Sequence, residues 1–185
     1  GDVKPGDDYK KPIGMRINTN DAWACLSIER TADDDVNLTE PEMTAGDNSQ
    51  GTGNGELGEN LGLHLWTDMG EGSVTGVCDA DPGDEQCGDN TILEKKSVID
   101  GGTGLGTAAT QLISMDIADN DTNVFTGNPG EPLEGSKTYH IGINYSVSPD
   151  AGNEIQTDLY TVDLKFYTEQ FRNNENFACN VTISD

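Results

Sequence analysis

The chain has 185 residues, 33% of them hydrophobic and 24% charged, with 34 acids against 10 bases and a formal net charge of -24. That length suits one sizeable domain, and no composition shift argues for two. The charge excludes nucleic acid and anionic membranes as partners, because both are bound by basic surfaces.

The acidity is unevenly spread. Between residues 31 and 94 there are 16 acids and not one Lys or Arg. A surface of this kind attracts cations, and it reads either as a solubilising face suited to a salty or hot habitat or as a place that holds divalent ions. Hydrophobic content lies below the usual ~45 to 50%, yet the apolar residues fall in periodic runs, so the chain folds while much of it is loop.

Residues 1–11 are polar, and Pro5-Gly6-Asp7-Asp8 reads as a turn entering a first strand over 12–18, in which Ile13, Met15 and Ile17 alternate. A second strand spans 23–30, with Ala22, Ala24, Leu26 and Ile28 on one face. Trp23 and Cys25 take the other, near a sheet edge. Residues 31–60 form an acidic insertion far longer than the ~4 to 6 residues of a typical connection, with short helical turns near 41–43 and 56–60. The strand 61–66 sets Leu61, Leu63 and Leu65 against His64 and Trp66. A second acidic loop over 67–90 follows, then a strand at 91–99, a glycine-rich connection at 101–106 and a strand at 111–117 carrying Ile113, Met115 and Ile117 in phase.

After a loop over 119–135, with a turn at Asn128-Pro129-Gly130, comes the strongest alternation in the sequence. Tyr139, Ile141, Ile143, Tyr145 and Val147 share one face of a strand, and Tyr160, Val162, Leu164 and Phe166 share one face of the next. The turn-rich segment between them predicts an antiparallel hairpin over 138–170. Phe177, Cys179, Val181 and Ile183 close the chain as a final strand. Seven or eight strands with polar connections and no long helix describe an all-β fold, a jelly-roll-like antiparallel β-sandwich in one domain with insertions at 31–60 and 67–90.

Four cysteines without a CxxC zinc pattern predict two disulfides and an oxidising, secreted setting. Cys78 and Cys87 bracket a short polar loop and pair locally, which leaves Cys25 with Cys179. Asn37, Asn120, Asn144 and Asn180 are glycosylation sequons, as a secreted protein could use. No apolar segment is long enough to span a membrane. With no signal-peptide pattern at its start, the sequence reads as a mature or trimmed form.

Candidate chemistry is sparse. Asp79, Asp81, Asp84, Glu85 and Asp89 gather hard oxygen ligands on the loop that Cys78 and Cys87 would rigidify, a calcium-like D-x-D-x-x-D spacing that departs from the EF-hand pattern at Pro82. Gly102-Thr103-Gly104-Leu105-Gly106 lacks the lysine and βαβ context of a phosphate loop. The only histidines, His64 and His140, lie on separate strands, which rules out the two-histidine helical turn of a metalloprotease. No G-x-S-x-G is present either. The chain reads as a non-enzyme, with Ca2+ as its one candidate cofactor.

Several segments together resemble the TasA/camelysin family of secreted proteins. They are Asp2-Val3-Lys4-Pro5-Gly6-Asp7, Ala22-Trp23-Ala24-Cys25, Thr39-Glu40-Pro41-Glu42, Gly55-Glu56-Leu57-Gly58-Glu59-Asn60-Leu61, and Gly152-Asn153-Glu154-Ile155-Gln156-Thr157-Asp158 followed by Phe166-Tyr167-Thr168-Glu169-Gln170, in the family's order. The resemblance implies a jelly-roll surface or matrix protein that polymerises with copies of itself into extracellular filaments, pilus-like or of a biofilm matrix. In such filaments an N-terminal strand of one subunit completes the sheet of the next. Family members carry that strand upstream of the V-K-P-G-D motif, and this sequence begins almost at the motif. A non-polymerising, calcium-binding adhesive module is the alternative expectation.

Overall fold

A computed structural model describes residues 3–68, 92–96 and 111–179. Its strands are β1 (Asp8–Arg16), β2 (Ala22–Asp35), β3 (Leu61–Asp68), β4 (Ile92–Lys96), β5 (Gln111–Ala118), β6 (Thr138–Val147) and β7 (Asp158–Gln170). Two short helices, α1 (Glu40–Ala45) and α2 (Leu57–Asn60), lie between β2 and β3. One sheet has the order β1-β6-β3-β4 and the other β5-β2-β7, all pairings being antiparallel. The expected all-β sandwich is therefore the fold. Among the described residues no helix is long and apolar enough to cross a membrane.

The alternations of the sequence become the inner faces of the two sheets. Leu61, Leu63 and Leu65 of β3, with Ile141 and Val147 of β6, are buried against Ala24, Leu26 and Ile28 of β2 and Ile113 and Ile117 of β5. Each fully buried aliphatic side chain contributes about 1.5 to 3 kcal/mol by leaving water, which makes this shared face the main source of stability.

One expectation fails. The strands over 138–147 and 158–170 do not pair as a hairpin: β6 lies between β1 and β3, whereas β7 lies beside β2 in the opposite sheet. Alternation fixes which face of a strand is buried, not which strand it pairs with. The connecting segment crosses from one sheet to the other and includes a short 3-10 turn, Asn153–Ile155, that buries Ile155 in the core.

β2 is the central strand of its sheet, contrary to the edge position expected for Cys25, and it is buried on both faces from Trp23 to Ile28. Residues 171–179 are the reason. They cross the outer face of the sheet as a strap, while Val181 and Ile183 of the expected final strand lie outside the described residues. Trp23 is fully buried beneath the strap, its Nε1 donating to the Asn174 carbonyl at 2.7 Å while Phe171 meets its ring edge-on at 5.0 Å. The strap ends at Cys179, which forms the expected disulfide with Cys25. Cys78 and Cys87 lie outside the described residues.

The 31–60 insertion begins later than the sequence suggests, because β2 continues to Asp35. Its last residue forms a two-way backbone bridge with Gly51, Asp35 N to Gly51 O at 3.2 Å and Gly51 N to Asp35 O at 2.9 Å. The helical turns fall where they were expected, α1 packing on the 3-10 turn that precedes β7 and α2 on that turn and on β7 itself.

Candidate functional site

The insertion folds back over the end of the β2–β7 pair and brings carboxylates from four places together. Asp35 ends β2, Glu42 lies in α1, Asp47 and Glu56 belong to the loop between the helices, and Asp158 begins β7. One carboxylate oxygen each of Asp35, Glu42 and Asp158 lie within 4.8 Å of one another. Asp35 is 1% exposed, Glu42 is 0% and Asp47 is 9%, values at which a charged group is normally paired with a cation.

Local structure explains how each arrives there. The Thr39-Glu40-Pro41-Glu42 segment is built to start a helix: proline fits the first turn, and the Glu42 side chain reaches back to accept from the Thr39 backbone N–H. α1 ends at Gly46, whose φ of 107° a side chain would oppose and whose N–H caps the carbonyl of Glu42. Asp47 follows at once, its Oδ1 accepting from Ser49 N at 2.9 Å and Ser49 Oγ at 2.8 Å. Asp158 Oδ2 accepts the backbone N–H groups of both Glu56 and Leu57 at 2.7 Å, which fixes the entry to α2 against β7. Asp35 Oδ1 accepts from Asn37 N at 3.0 Å.

Glu42 has both oxygens held, Oε2 by Thr39 N and Oε1 by the Thr157 hydroxyl at 3.0 Å, but in each of the other four one carboxylate oxygen is held and the other is not. Asp35 Oδ2, Asp47 Oδ2, Glu56 Oε2 and Asp158 Oδ1 are all buried and have no hydrogen-bond partner. The electrostatics follow from this. Burial pushes the Asp158 carboxyl up to about 7, the two N–H donors working against the shift and the nearby Glu56 and Asp35 adding to it. Burial also raises Asp35, helped by Glu42 and Asp47, and raises Glu56, helped by Asp47 and Asp35.

Beside this set, Asp33 is tied to Arg30 by an ion pair at 3.2 Å, while burial raises its carboxyl. The Tyr160 hydroxyl is pushed up to about 12 by burial and by Asp33, so it stays protonated. Gly58 of α2 sits directly on this pair: a Cβ there would fall 2.5 Å from the Tyr160 ring and 2.9 Å from Asp33 Oδ2. A second acidic group, Asp116 and Asp119 near Cys179, is of another kind. Both Asp119 oxygens accept backbone N–H groups, of Asp121, Thr122 and Cys179, and the Cys179 sulfur is already in the disulfide.

The calcium candidates Asp79, Asp81, Asp84, Glu85 and Asp89 lie outside the described residues, as does the sequon Asn180. Asn37 is exposed and Asn120 half-buried. Asn144 is 4% exposed, and its Nδ2, the atom a glycan would occupy, donates to Asp8 Oδ1 and the Tyr9 carbonyl. The acid run over 31–94 did point to divalent ions, but Asp158 lies far beyond it, and only the fold shows which acids of the run are buried. Three of the segments that carry the family resemblance, those containing Glu42, Glu56 and Asp158, meet at this cluster. No protein-family model matches the chain, and comparison with curated proteins likewise finds no match.

Proposed function

We propose that this chain is a structural subunit of an extracellular protein filament, pilus-like or of a biofilm matrix, which polymerises when an extended segment of one copy adds to a sheet of the next. The observation that carries the reading is the outer edge of β7. This strand is 13 residues long and, among the described strands, is hydrogen-bonded to β2 alone. Among the described residues its other edge has no strand beside it, and a row of N–H and C=O groups there is what an added strand would satisfy.

The contrast with β1, an edge of the other sheet, supports the choice. β1 carries Lys10, Lys11 and Pro12 in succession, the residues that blunt an edge, and proline has no N–H to offer. β7 has no proline and displays Leu159 and Val162, 44% and 42% exposed. Beside it opens an apolar cleft of about 240 Å3 between the two sheets, lined in part by Val162, Leu164, Leu63 and Ile143, where alternate side chains of an added strand could be buried. Val3 also lines the cleft, so the chain's own N-terminal segment reaches its mouth. Repeated head to tail, such a contact makes an open fibre rather than a closed ring. The resemblance to the TasA/camelysin family points the same way, and the Cys25–Cys179 disulfide fits an oxidising, extracellular setting.

Electron microscopy of the purified protein with its native N-terminus tests the reading. Filaments are expected from the parent chain, and none from Leu159→Lys/Val162→Lys at an unchanged melting temperature. Strictly monomeric particles of the parent under all assembly conditions would overturn it.

A further inference from the structure

We infer that the carboxylates of Asp35, Asp47, Glu56 and Asp158, with Glu42 beside them, form a binding site for one divalent cation, and that the cation is calcium. The inference does not depend on polymerisation. It starts from a conflict. These acids are withdrawn from water next to one another, and like charges at such range in a low-dielectric setting oppose folding unless protons or a cation intervene.

Three observations favour the cation. The first is the division of labour within each carboxylate. Asp35, Asp47 and Asp158 each spend one oxygen on backbone N–H groups and leave the other buried without a donor. Hydrogen bonds of this kind stabilise the ionised form and aim the free oxygen, as the groups behind metal ligands do. The second is the orphaned Asp35 Oδ2 itself. It belongs to a residue 1% exposed, at the centre of the group, and water reaches it too poorly to compensate. The third is spacing. Ligand oxygens at ~2.3 to 2.6 Å from calcium lie no more than ~4.6 to 5.2 Å apart across the ion, and one oxygen each of Asp35, Glu42 and Asp158 fall within 4.8 Å of one another.

The donor set selects among ions. It is all oxygen, which disfavours zinc and copper, and it is rich in carboxylates carried on loops and strand ends. That suits the larger, geometrically tolerant calcium better than magnesium, which keeps most of its waters and demands a near-ideal octahedron. Two of the ligands also face a surface depression, lined by Gly46, Asp47, Ser49, Glu56 and Glu154, by which an ion could enter from solvent. The bound ion would tie the insertion, from α1 to α2, to the first residue of β7.

The test is calorimetric titration of the chelator-treated full chain with CaCl2 and, separately, with MgCl2, alongside thermal melts. One calcium site, a higher melting temperature with calcium and at least tenfold weaker magnesium binding are expected. Asp35→Asn and Asp158→Asn should each weaken calcium binding tenfold or more. Because they remove a repelling charge, they should melt no lower than the parent when both are free of cation, which separates lost binding from lost folding. Asp81→Asn/Asp84→Asn, in the other acidic loop, should leave the affinity unchanged. Absence of both heat and thermal shift, or calcium binding that survives Asp35→Asn and Asp158→Asn but is lost in Asp81→Asn/Asp84→Asn, would overturn the assignment.

Discussion

Asp35 and Asp158 stand directly opposite each other across the β2–β7 ladder, the last residue of one strand facing the first residue of the other. Like charges at such a cross-strand position repel, so the pair works against the closing rung of its own sheet. The sandwich tolerates it because Asn37, Glu56 and Leu57 lend their N–H groups to the two carboxylates.

In the absence of divalent cations, this relationship makes stability depend on pH in an unusual direction. Asp158 is raised from an ordinary 3.8 to about 7, and Asp35 and Glu56 are raised with it, so the folded state binds protons more tightly than the unfolded chain. The stability gained from protonation is complete below pH ~4 and is lost as pH rises through about 7. The groups facing Asp158 from the packed elements, Glu56, Asp35 and Glu42, are all acids and carry no opposing sign. The melting temperature of chelated protein should therefore rise as pH falls from 8 to 5.5. Saturating calcium should flatten that slope, because ligation requires ionised carboxylates.

The disulfide closes a loop with a sequence separation of 154. On the chain-entropy account a loop of that size contributes about 5 kcal/mol, a large share of the stability of an ordinary domain. Cys25→Ala/Cys179→Ala should lower the urea midpoint by a corresponding amount, as should reduction of the parent. A midpoint unchanged within error would mean that the strap is held by Trp23, Phe171 and Asn174 without the bond.

Gly58→Ala offers a test of packing against propensity. In a helix the exchange would by itself favour alanine by about 1 kcal/mol. The added methyl, however, lands 2.5 Å from the Tyr160 ring and 2.9 Å from Asp33 Oδ2, and crowding of that kind costs about 1 to 3 kcal/mol. A net loss of stability is expected in chemical denaturation. A gain would show that α2 can shift off β7.

The sequence revealed the parts of this fold that depend on neighbouring residues and concealed those that depend on distant ones. Period-two alternation located β3, β5, β6 and β7 to within a few residues, and the helical turns expected near 41–43 and 56–60 fall on the two short helices. Partnership was not legible. β6 and β7 are adjacent in sequence and face each other across the core instead of sharing a ladder, because residues 148–157 span the sandwich rather than turning within a sheet. Burial of charge was hidden for the same reason. Asp35 looks like any acid of an acidic run until Asp158, more than a hundred residues on, is laid beside it. The dual burial of Trp23 and Cys25 could be read only once residues 171–179 were known to lie across them.

That strap carries a consequence for the order of assembly. Cys25 is made well before Cys179, so the bond that clamps β2 must wait until every residue between them has emerged. A chain threading outward from its N-terminus would expose Trp23 and a reactive thiol through most of that passage, with their cover still to come. A chain cut short before residue 171 would lack the strap, the partner sulfur and the covering of its central strand all at once.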